Sequence, residues 1–131
     1  MSSKTLTMLI LTGMLFMTTA CGAANQVNLT SADKDSLVDV AKGGTLIITL
    51  EGNPSTGFSW EALDLDTTMF EQVGDPIFSS SNPDLIGSGG TVALTFKTLQ
   101  VGTATLNLVY HRSWETGIDP IDTFSVKVIV K

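Results

Sequence analysis

Few side chains in this sequence could take part in a reaction. The chain has one cysteine, Cys21, and one histidine, His111. Nucleophilic catalysis requires a base within hydrogen-bonding reach of the nucleophile, and an imidazole is the commonest choice. Alternation along a predicted strand puts His111 on the same face as Asn107 and Val109, opposite the predicted core, so an exposed strand residue is the simpler interpretation. The sequence therefore argues against an enzyme.

Carboxylates are numerous but form no recognisable set of metal ligands. Asp33, Asp35 and Asp39 could offer oxygen ligands to calcium, yet the glycine-centred spacing of an EF-hand loop is missing. A solvated acidic segment is the simpler interpretation. Two further pairs of carboxylates lie in predicted turns: Asp64 with Asp66, and Asp119 with Asp122. We therefore predict neither a metal site nor a cofactor.

The charge of the chain bears on its possible partners. Its 13 acidic and 7 basic side chains give a formal net charge of -6 at pH 7. Nucleic-acid binding requires a clustered surface of Lys and Arg that neutralises phosphates, and the sequence contains no such cluster. We therefore predict that nucleic acid is not a partner.

The amino terminus has the composition of a targeting segment. Lys4 precedes an apolar stretch at residues 6–17, which is too short for a permanent membrane span and suits a signal peptide. The stretch ends in Thr18-Thr19-Ala20-Cys21-Gly22, which resembles the lipobox of prokaryotic lipoproteins. This resemblance implies a signal peptide at residues 1–20, a lipid on Cys21 and a tether at residues 21–26. We therefore expect an exported protein, lipid-anchored to the membrane of the cell envelope, with ordinary secretion as the alternative.

Alternation of apolar residues with a period of two dominates the remainder, residues 27–131, and predicts β-strands with one buried face. In each of four predicted strands, the apolar residues share one face of the strand. The four sets are Leu46, Ile48 and Leu50; Val92, Leu94 and Phe96; Ala104, Leu106, Leu108 and Tyr110; and Phe124, Val126, Val128 and Val130. Shorter strands are predicted at residues 26–29, 58–63 and 70–78. Residues 36–41 are an exception, because they could form a short helical turn. About seven strands separated by turn residues predict a single all-β domain, an immunoglobulin-like β-sandwich.

If successive strands reverse direction, three connections with unusual sequences emerge at the same end of this sandwich. The first, residues 53–58, reads Asn-Pro-Ser-Thr-Gly-Phe, in which Pro54 fixes its own φ and Gly57 permits a positive φ. The second contains Gly87-Ser88-Gly89-Gly90, whose lack of side-chain bulk allows another backbone to approach. The third contains Arg112-Ser113-Trp114-Glu115, and Trp and Arg are common in binding hot spots. Each segment alone could be an ordinary turn.

Together the three segments resemble the chagasin-type family of cysteine peptidase inhibitors. The family's loops read Asn-Pro-Thr-Thr-Gly-aromatic, Gly-x-Gly-Gly and Arg-Pro-Trp, in the order found here. The resemblance covers about residues 27–131. Two positions depart from the pattern: Ser55 replaces a Thr conservatively, and Ser113 replaces the Pro that would stiffen the third loop.

The resemblance implies a monomeric inhibitor of papain-like cysteine peptidases that occludes the active-site cleft with three loops. Thr56 and its neighbours would lie over the catalytic cysteine of the peptidase, the glycine loop would follow the substrate groove, and Trp114 would pack on the primed side. The peptidase-binding residues implied are Asn53, Pro54, Ser55, Thr56, Gly57, Phe58, Gly87, Ser88, Gly89, Gly90, Arg112 and Trp114. The alternative is a non-inhibitory immunoglobulin-like module for envelope adhesion or assembly, because the same sandwich serves many functions.

Overall fold

The structure, a computed structural model, describes residues 23–131. Eight strands account for most of this part of the chain: β1 (Ala24–Thr30), β2 (Leu37–Gly52), β3 (Ser59–Leu63), β4 (Phe70–Gln72), β5 (Ile77–Ser80), β6 (Gly90–Thr98), β7 (Gly102–His111) and β8 (Asp122–Val130). Two short 3-10 helices, Ser31–Asp33 and Pro54–Thr56, follow β1 and β2. The all-β class predicted from the sequence is confirmed.

The strands form one curled sheet in which β2 changes partners along its length. The strand order is β3-β7-β8-β2-β6-β4, with β1 paired to β2 and β5 paired to β6. Residues 37–40 of β2 pair in parallel with residues 127–130 of β8, whereas residues 45–52 pair antiparallel with residues 90–97 of β6. The two halves of the sheet therefore fold over a shared core, which is the layout of an immunoglobulin-like sandwich.

The strand faces predicted to form the core are the ones buried in the structure. The buried apolar cluster draws on seven strands, all except β5, and its fully buried members include Leu46, Ile48, Leu94, Phe96, Leu106, Leu108, Val126 and Val128. Ala104 and Tyr110, which share a face with Leu106 and Leu108, are only partly buried at the margin of this cluster. The members of the cluster among the described residues lie between Leu29 and Val130 and form one continuous core.

Two predicted elements differ from the structure. The stretch at 70–78 is two strands. The amide of Val73 still donates to the carbonyl of Thr95 in β6, but residues 74–76 (Gly-Asp-Pro) then interrupt the pairing, and Pro76 has no N–H to donate. Both pieces pair antiparallel with β6, so the reversal of strand direction is preserved. The helical alternative for residues 36–41 is wrong, because Val38 and Val40 pair with Val128 and Val130 as the start of β2.

The first strand is parallel to the second, so the expected reversal of direction fails for this pair, whereas it holds for the strands on either side of the three connections. Ala24 of β1 lies opposite Val40 and Thr30 lies opposite Thr49, after which β2 continues to Gly52. The start of β1 and the end of β2 therefore lie at opposite ends of the sandwich. β1 begins at Ala24, within the segment predicted as a tether, so the last part of that segment is a strand.

The predicted signal peptide and Cys21 lie outside the described residues. Within residues 23–131, no helix has the length and apolar character that crossing a bilayer requires.

Candidate functional site

Three connections lie side by side at one end of the sandwich, and we call them loop 1 (residues 53–58), loop 2 (residues 81–89) and loop 3 (residues 112–121). They follow β2, β5 and β7, respectively. The Nδ2 of Asn53 in loop 1 donates to the carbonyl of Gly87 in loop 2 at 3.1 Å. On the other side, the Nε of Arg112 in loop 3 donates to the carbonyl of Thr56 in loop 1 at 3.1 Å. Loop 1 is therefore the middle of the three and is bonded to both neighbours.

Loop 1 is held in shape by its own polar atoms. Asn53 caps the 3-10 turn Pro54–Thr56, and its Oδ1 accepts hydrogen bonds from the amide (3.1 Å) and the hydroxyl (2.5 Å) of Ser55. The hydroxyl of Thr56 donates to the carbonyl of Asn53 at 2.6 Å. Gly57 ends the turn in the left-handed region, at φ 83°, which disfavours residues with a Cβ. These local bonds make loop 1 a stiff turn, as Pro54 and Gly57 predict.

Aromatic side chains support loop 1 from below. The hydroxyl of Tyr110 accepts a hydrogen bond from the amide of Asn53 at 2.9 Å. The centres of the Tyr110 and Phe58 rings are 5.5 Å apart. Trp60 stacks on the same tyrosine at 5.0 Å, and its Nε1 donates to the carbonyl of Glu51 at 2.9 Å. Neither Tyr110 nor Trp60 is among the site residues predicted from the sequence. The signal available in the sequence was that both are aromatic residues beside a loop. In the structure they lie in β3 and β7, which pair directly.

Loop 2 is closed by serine and glycine. The carbonyl of Gly89 accepts hydrogen bonds from the amide (3.0 Å) and the hydroxyl (2.6 Å) of Ser81, and the hydroxyls of Ser80 and Ser88 lie 2.8 Å apart. Gly90 already belongs to β6, and a Cβ there would collide with the backbone oxygen of Ser79. Glycine at position 90 is thus required by the packing of β5 against β6.

The tip of loop 2 carries two exposed aliphatic side chains that are not among the site residues predicted from the sequence. Leu85 is 61% exposed and Ile86 is 103% exposed, immediately before Gly87. Apolar side chains this exposed are ordinary when they occur singly, but a group of them at one end of a protein marks an interaction surface. The available signal was an aliphatic pair placed between turn-forming residues.

Loop 3 lies against loop 1 through two side chains. The guanidinium of Arg112 lies 4.4 Å above the centre of the Phe58 ring, in addition to its bond to Thr56, and its Nη1 lies 3.2 Å from Oε1 of Glu115. The indole of Trp114 is 67% exposed, yet its six-membered ring covers the backbone of Gly57. The predicted site residues in all three loops therefore meet at a single surface.

His111 is less exposed than the sequence predicts. Its Nε2 lies 2.8 Å from Oε2 of Glu61 on the neighbouring strand β3, and its side chain is partly buried. Val109, expected on the exposed face, is buried. The predicted exposure was therefore wrong for both residues. Glu61 of β3 pairs with Val109 and contacts His111, and alternation along β7 alone does not reveal this neighbour.

The carboxylates considered as calcium ligands have separate structural partners. The Oδ2 of Asp33 accepts a hydrogen bond from the amide of Thr30 at 2.8 Å. The Oδ2 of Asp39 forms a salt bridge with the Nζ of Lys131 at 3.0 Å. Hydrogen bonds from the hydroxyl and then the amide of Thr68 lower the pKa of Asp66, which caps the turn before β4. Among residues 23–131, no group of three or more His, Cys, Asp or Glu side chains is arranged to hold a metal ion.

Comparison with known proteins identifies relatives of this chain. Residues 39–128 match the family model described as chagasin family peptidase inhibitor I42. Amoebiasin-1 of Entamoeba histolytica is 31% identical over 107 residues, which cover 80% of this chain and 100% of the relative. Chagasin of Trypanosoma cruzi is 31% identical over 104 residues, covering 75% of this chain and 92% of the relative.

A solved structure shows the same fold. The crystal structure of the cysteine protease inhibitor EhICP2 from Entamoeba histolytica superposes with a TM-score of 0.72 at 28% identity, covering 81% of this chain and 96% of that one. That chain consists almost entirely of the matching domain, so a chain of this fold forms a structure by itself. The family match spans more than half of the chain, and its members are inhibitors, in agreement with the prediction that the chain is not an enzyme. The protein belongs to the chagasin family of peptidase inhibitors.

Proposed function

We propose that this protein inhibits papain-like cysteine peptidases by filling the active-site cleft with loop 1, while loops 2 and 3 contact the walls of the cleft. The observation that carries the proposal is the direct bonding of the three loops, through Asn53 to Gly87 and through Arg112 to Thr56. This bonding makes the loops one continuous surface. The relatives named above include a protein described as a cysteine protease inhibitor.

The stiffness of loop 1 supports inhibition. The turn satisfies its own polar groups and is held from below by the hydroxyl of Tyr110. A segment that is already ordered loses little conformational entropy on binding, so more of the contact energy appears as affinity. An inhibitor need only occupy the cleft without aligning a peptide carbonyl for attack by the thiolate. We therefore expect loop 1 to survive the complex uncleaved.

The outer loops supply the apolar contacts in this proposal. Leu85 and Ile86 in loop 2 and Trp114 in loop 3 are large exposed apolar side chains, as are Ile118 and Ile121 farther along loop 3. Substrate clefts bind mainly through apolar contacts with a few polar groups, and aromatic anchors dominate binding hot spots. Loop 2 would also offer main-chain hydrogen bonds to the groove, since its glycines leave the backbone accessible. The twelve residues predicted from the sequence, extended by Leu85 and Ile86, form the proposed contact surface.

We also propose that the protein is exported and is held at the cell envelope by a lipid on Cys21, after removal of residues 1–20 as a signal peptide. The support is the sequence alone: a basic residue, an apolar stretch and small residues leading into a single cysteine. Metabolic labelling with a radiolabelled fatty acid tests this proposal. Label should enter the wild-type protein, and label that persists in Cys21→Ala would contradict it.

Inhibition is tested with the purified domain comprising residues 23–131, titrated against papain and a cathepsin L-type peptidase at fixed substrate concentration. We expect competitive inhibition at submicromolar concentration, with the inhibitor recovered intact. Lys42→Ala serves as the matched control, because Lys42 is exposed and lies far from the loops. Complete activity of both peptidases at micromolar inhibitor would overturn the proposal and favour an adhesion or assembly module.

A further inference from the structure

Loop 3 keeps a defined shape without the proline found at position 113 in the family pattern. Serine at this position leaves the backbone free to rotate, whereas proline fixes φ before folding and removes conformations from the unfolded chain. The shape must therefore come from contacts made by neighbouring residues. The residue whose side chain and backbone both reach across the loop is Glu115.

We propose that Glu115 is a positioning residue, which with Arg112 holds Trp114 in its binding orientation and supplies the stiffness that proline supplies elsewhere in the family. This inference rests on the proposed inhibitory function. It assigns to Glu115 an indirect role through the indole and not a contact with the peptidase.

The first support is a turn that is closed twice. The amide of Glu115 donates to the carbonyl of Arg112 at 3.0 Å, which closes a four-residue turn with Ser113 and Trp114 at its centre. The side chains of the same two end residues meet at 3.2 Å, between Nη1 of Arg112 and Oε1 of Glu115. A turn closed by both backbone and side chains restricts its two central residues.

The second support is that Arg112 is itself fixed by loop 1. Its Nε donates to the carbonyl of Thr56 at 3.1 Å, and its guanidinium lies 4.4 Å from the centre of the Phe58 ring. A planar guanidinium that stacks on a ring and donates in its own plane has little freedom left. Glu115 therefore pairs with a partner that is already ordered, so the pair costs less side-chain entropy than two free side chains would.

The third support is the position of Trp114 between these fixed points. Its ring covers Gly57 on one side and faces solvent on the other, with 67% of its surface exposed. An indole this exposed makes too few contacts of its own to fix its orientation. The orientation must then come largely from the turn that carries it.

Other charged groups near loop 3 do not replace Glu115. His111 and Asp119 line the same small cavity beneath the loop. The Nε2 of His111 is bonded to Glu61 on β3, so this imidazole is directed towards the neighbouring strand. Arg112 and Glu115 are thus the pair that spans the turn.

The test compares wild type, Glu115→Ala, Glu115→Gln, Ser113→Pro and the double variant Ser113→Pro with Glu115→Ala, all as the 23–131 domain. We measure the inhibition constant against papain and the ¹⁵N relaxation order parameter of the Trp114 indole N–H. Glu115→Ala should raise the inhibition constant about three- to tenfold, the range expected for releasing one ordered side chain. It should also lower the order parameter towards the flexible range below about 0.6. Glu115→Gln should give an intermediate effect.

The decisive result is the double variant, in which proline at position 113 should restore both the inhibition constant and the order parameter. Glu71→Ala, an exposed glutamate on β4, is the matched control and should change neither quantity. An unchanged order parameter in Glu115→Ala, or a loss of inhibition that Ser113→Pro does not restore, would overturn the proposal. The second outcome would point to direct contact between Glu115 and the peptidase. If wild type did not inhibit at all, the proposed function would fail, while the relaxation data would still decide the role of Glu115.

Discussion

The indole of Trp114 occupies the space that a side chain at position 57 would need. A Cβ built on Gly57 comes 2.7 Å from Cη2 of Trp114 and 3.1 Å from its Cζ2. Position 57 of loop 1 therefore favours glycine for two reasons: its φ is positive, and the indole of Trp114 from loop 3 leaves no room for a Cβ. Two motifs that are far apart in the sequence depend on each other in this way.

Gly57→Ala should impair inhibition more than it impairs folding. The left-handed backbone costs alanine about 1 kcal/mol, and the exposed indole can relieve the collision by turning away from loop 1. We therefore expect a modest loss of unfolding free energy in urea together with a clear rise in the inhibition constant. Gly74→Ala is the matched control, because Gly74 has a similar φ of 70° but nothing within 4 Å of the added Cβ. Equal effects of the two substitutions on inhibition would contradict the packing of Trp114 on Gly57.

Trp114→Ala should weaken inhibition without unfolding the domain. Truncation of an aromatic hot spot costs roughly 2 kcal/mol or more, which corresponds to about a thirtyfold rise in the inhibition constant. The unfolding free energy should change little, because most of the indole is exposed. Val101→Ala removes a comparably exposed apolar side chain from the turn between β6 and β7, and it should leave inhibition unaltered. An unchanged inhibition constant for Trp114→Ala would remove this residue from the site.

Ile86→Asp tests the contribution of the loop 2 tip. Ile86 makes almost no contact within the domain, so a charge there should leave the melting temperature unaffected. In an apolar groove, the same charge would be desolvated, and we expect the inhibition constant to rise at least about tenfold. Val101→Asp provides the control at the opposite end of the domain. Full inhibition by Ile86→Asp would show that the tip stays outside the complex.

Tyr110→Phe should loosen loop 1 from below. The hydroxyl accepts the amide of Asn53 at 2.9 Å, and loss of such a bond typically costs 0.5 to 1.5 kcal/mol, or about 1 kcal/mol. Hydrogen exchange of the Asn53 amide should become faster, and inhibition should weaken by a smaller factor than in Trp114→Ala. The stacked ring itself remains, so the packing of Trp60 should be preserved. Unchanged exchange at Asn53 would mean that the tyrosine hydroxyl does not restrain the loop.

Local alternation was sufficient to predict the frame of this protein. Val92, Leu94 and Phe96 follow one another with a period of two, and all three are buried in β6. Reversal of successive strands then predicts which connections share an end. The start of β2 was harder to predict, because residues 37–40 are short and ambiguous on their own. Their partner is a distant strand, β8, paired in parallel, and no local pattern records that pairing.

The site was predictable as motifs but not as a set of contacts. Asn53, Gly87 and Arg112 stand out by residue type, yet the sequence does not show that Asn53 reaches Gly87. Leu85 and Ile86 were missed because two aliphatic residues in a loop carry no periodic signal. Their significance comes from exposure beside the other loops, which is a property of the folded surface.

The direction of β1 determines how a tethered molecule would be displayed. The strand begins at the end of the sandwich opposite loop 1, and seven extended residues cover about 20 Å. A lipid on Cys21 would therefore attach the domain by the end opposite the three loops. The loops would then point away from the bilayer into the aqueous compartment. Peptidases diffusing in that compartment would reach them without obstruction by the membrane, so a tethered inhibitor and a released one should capture the same targets.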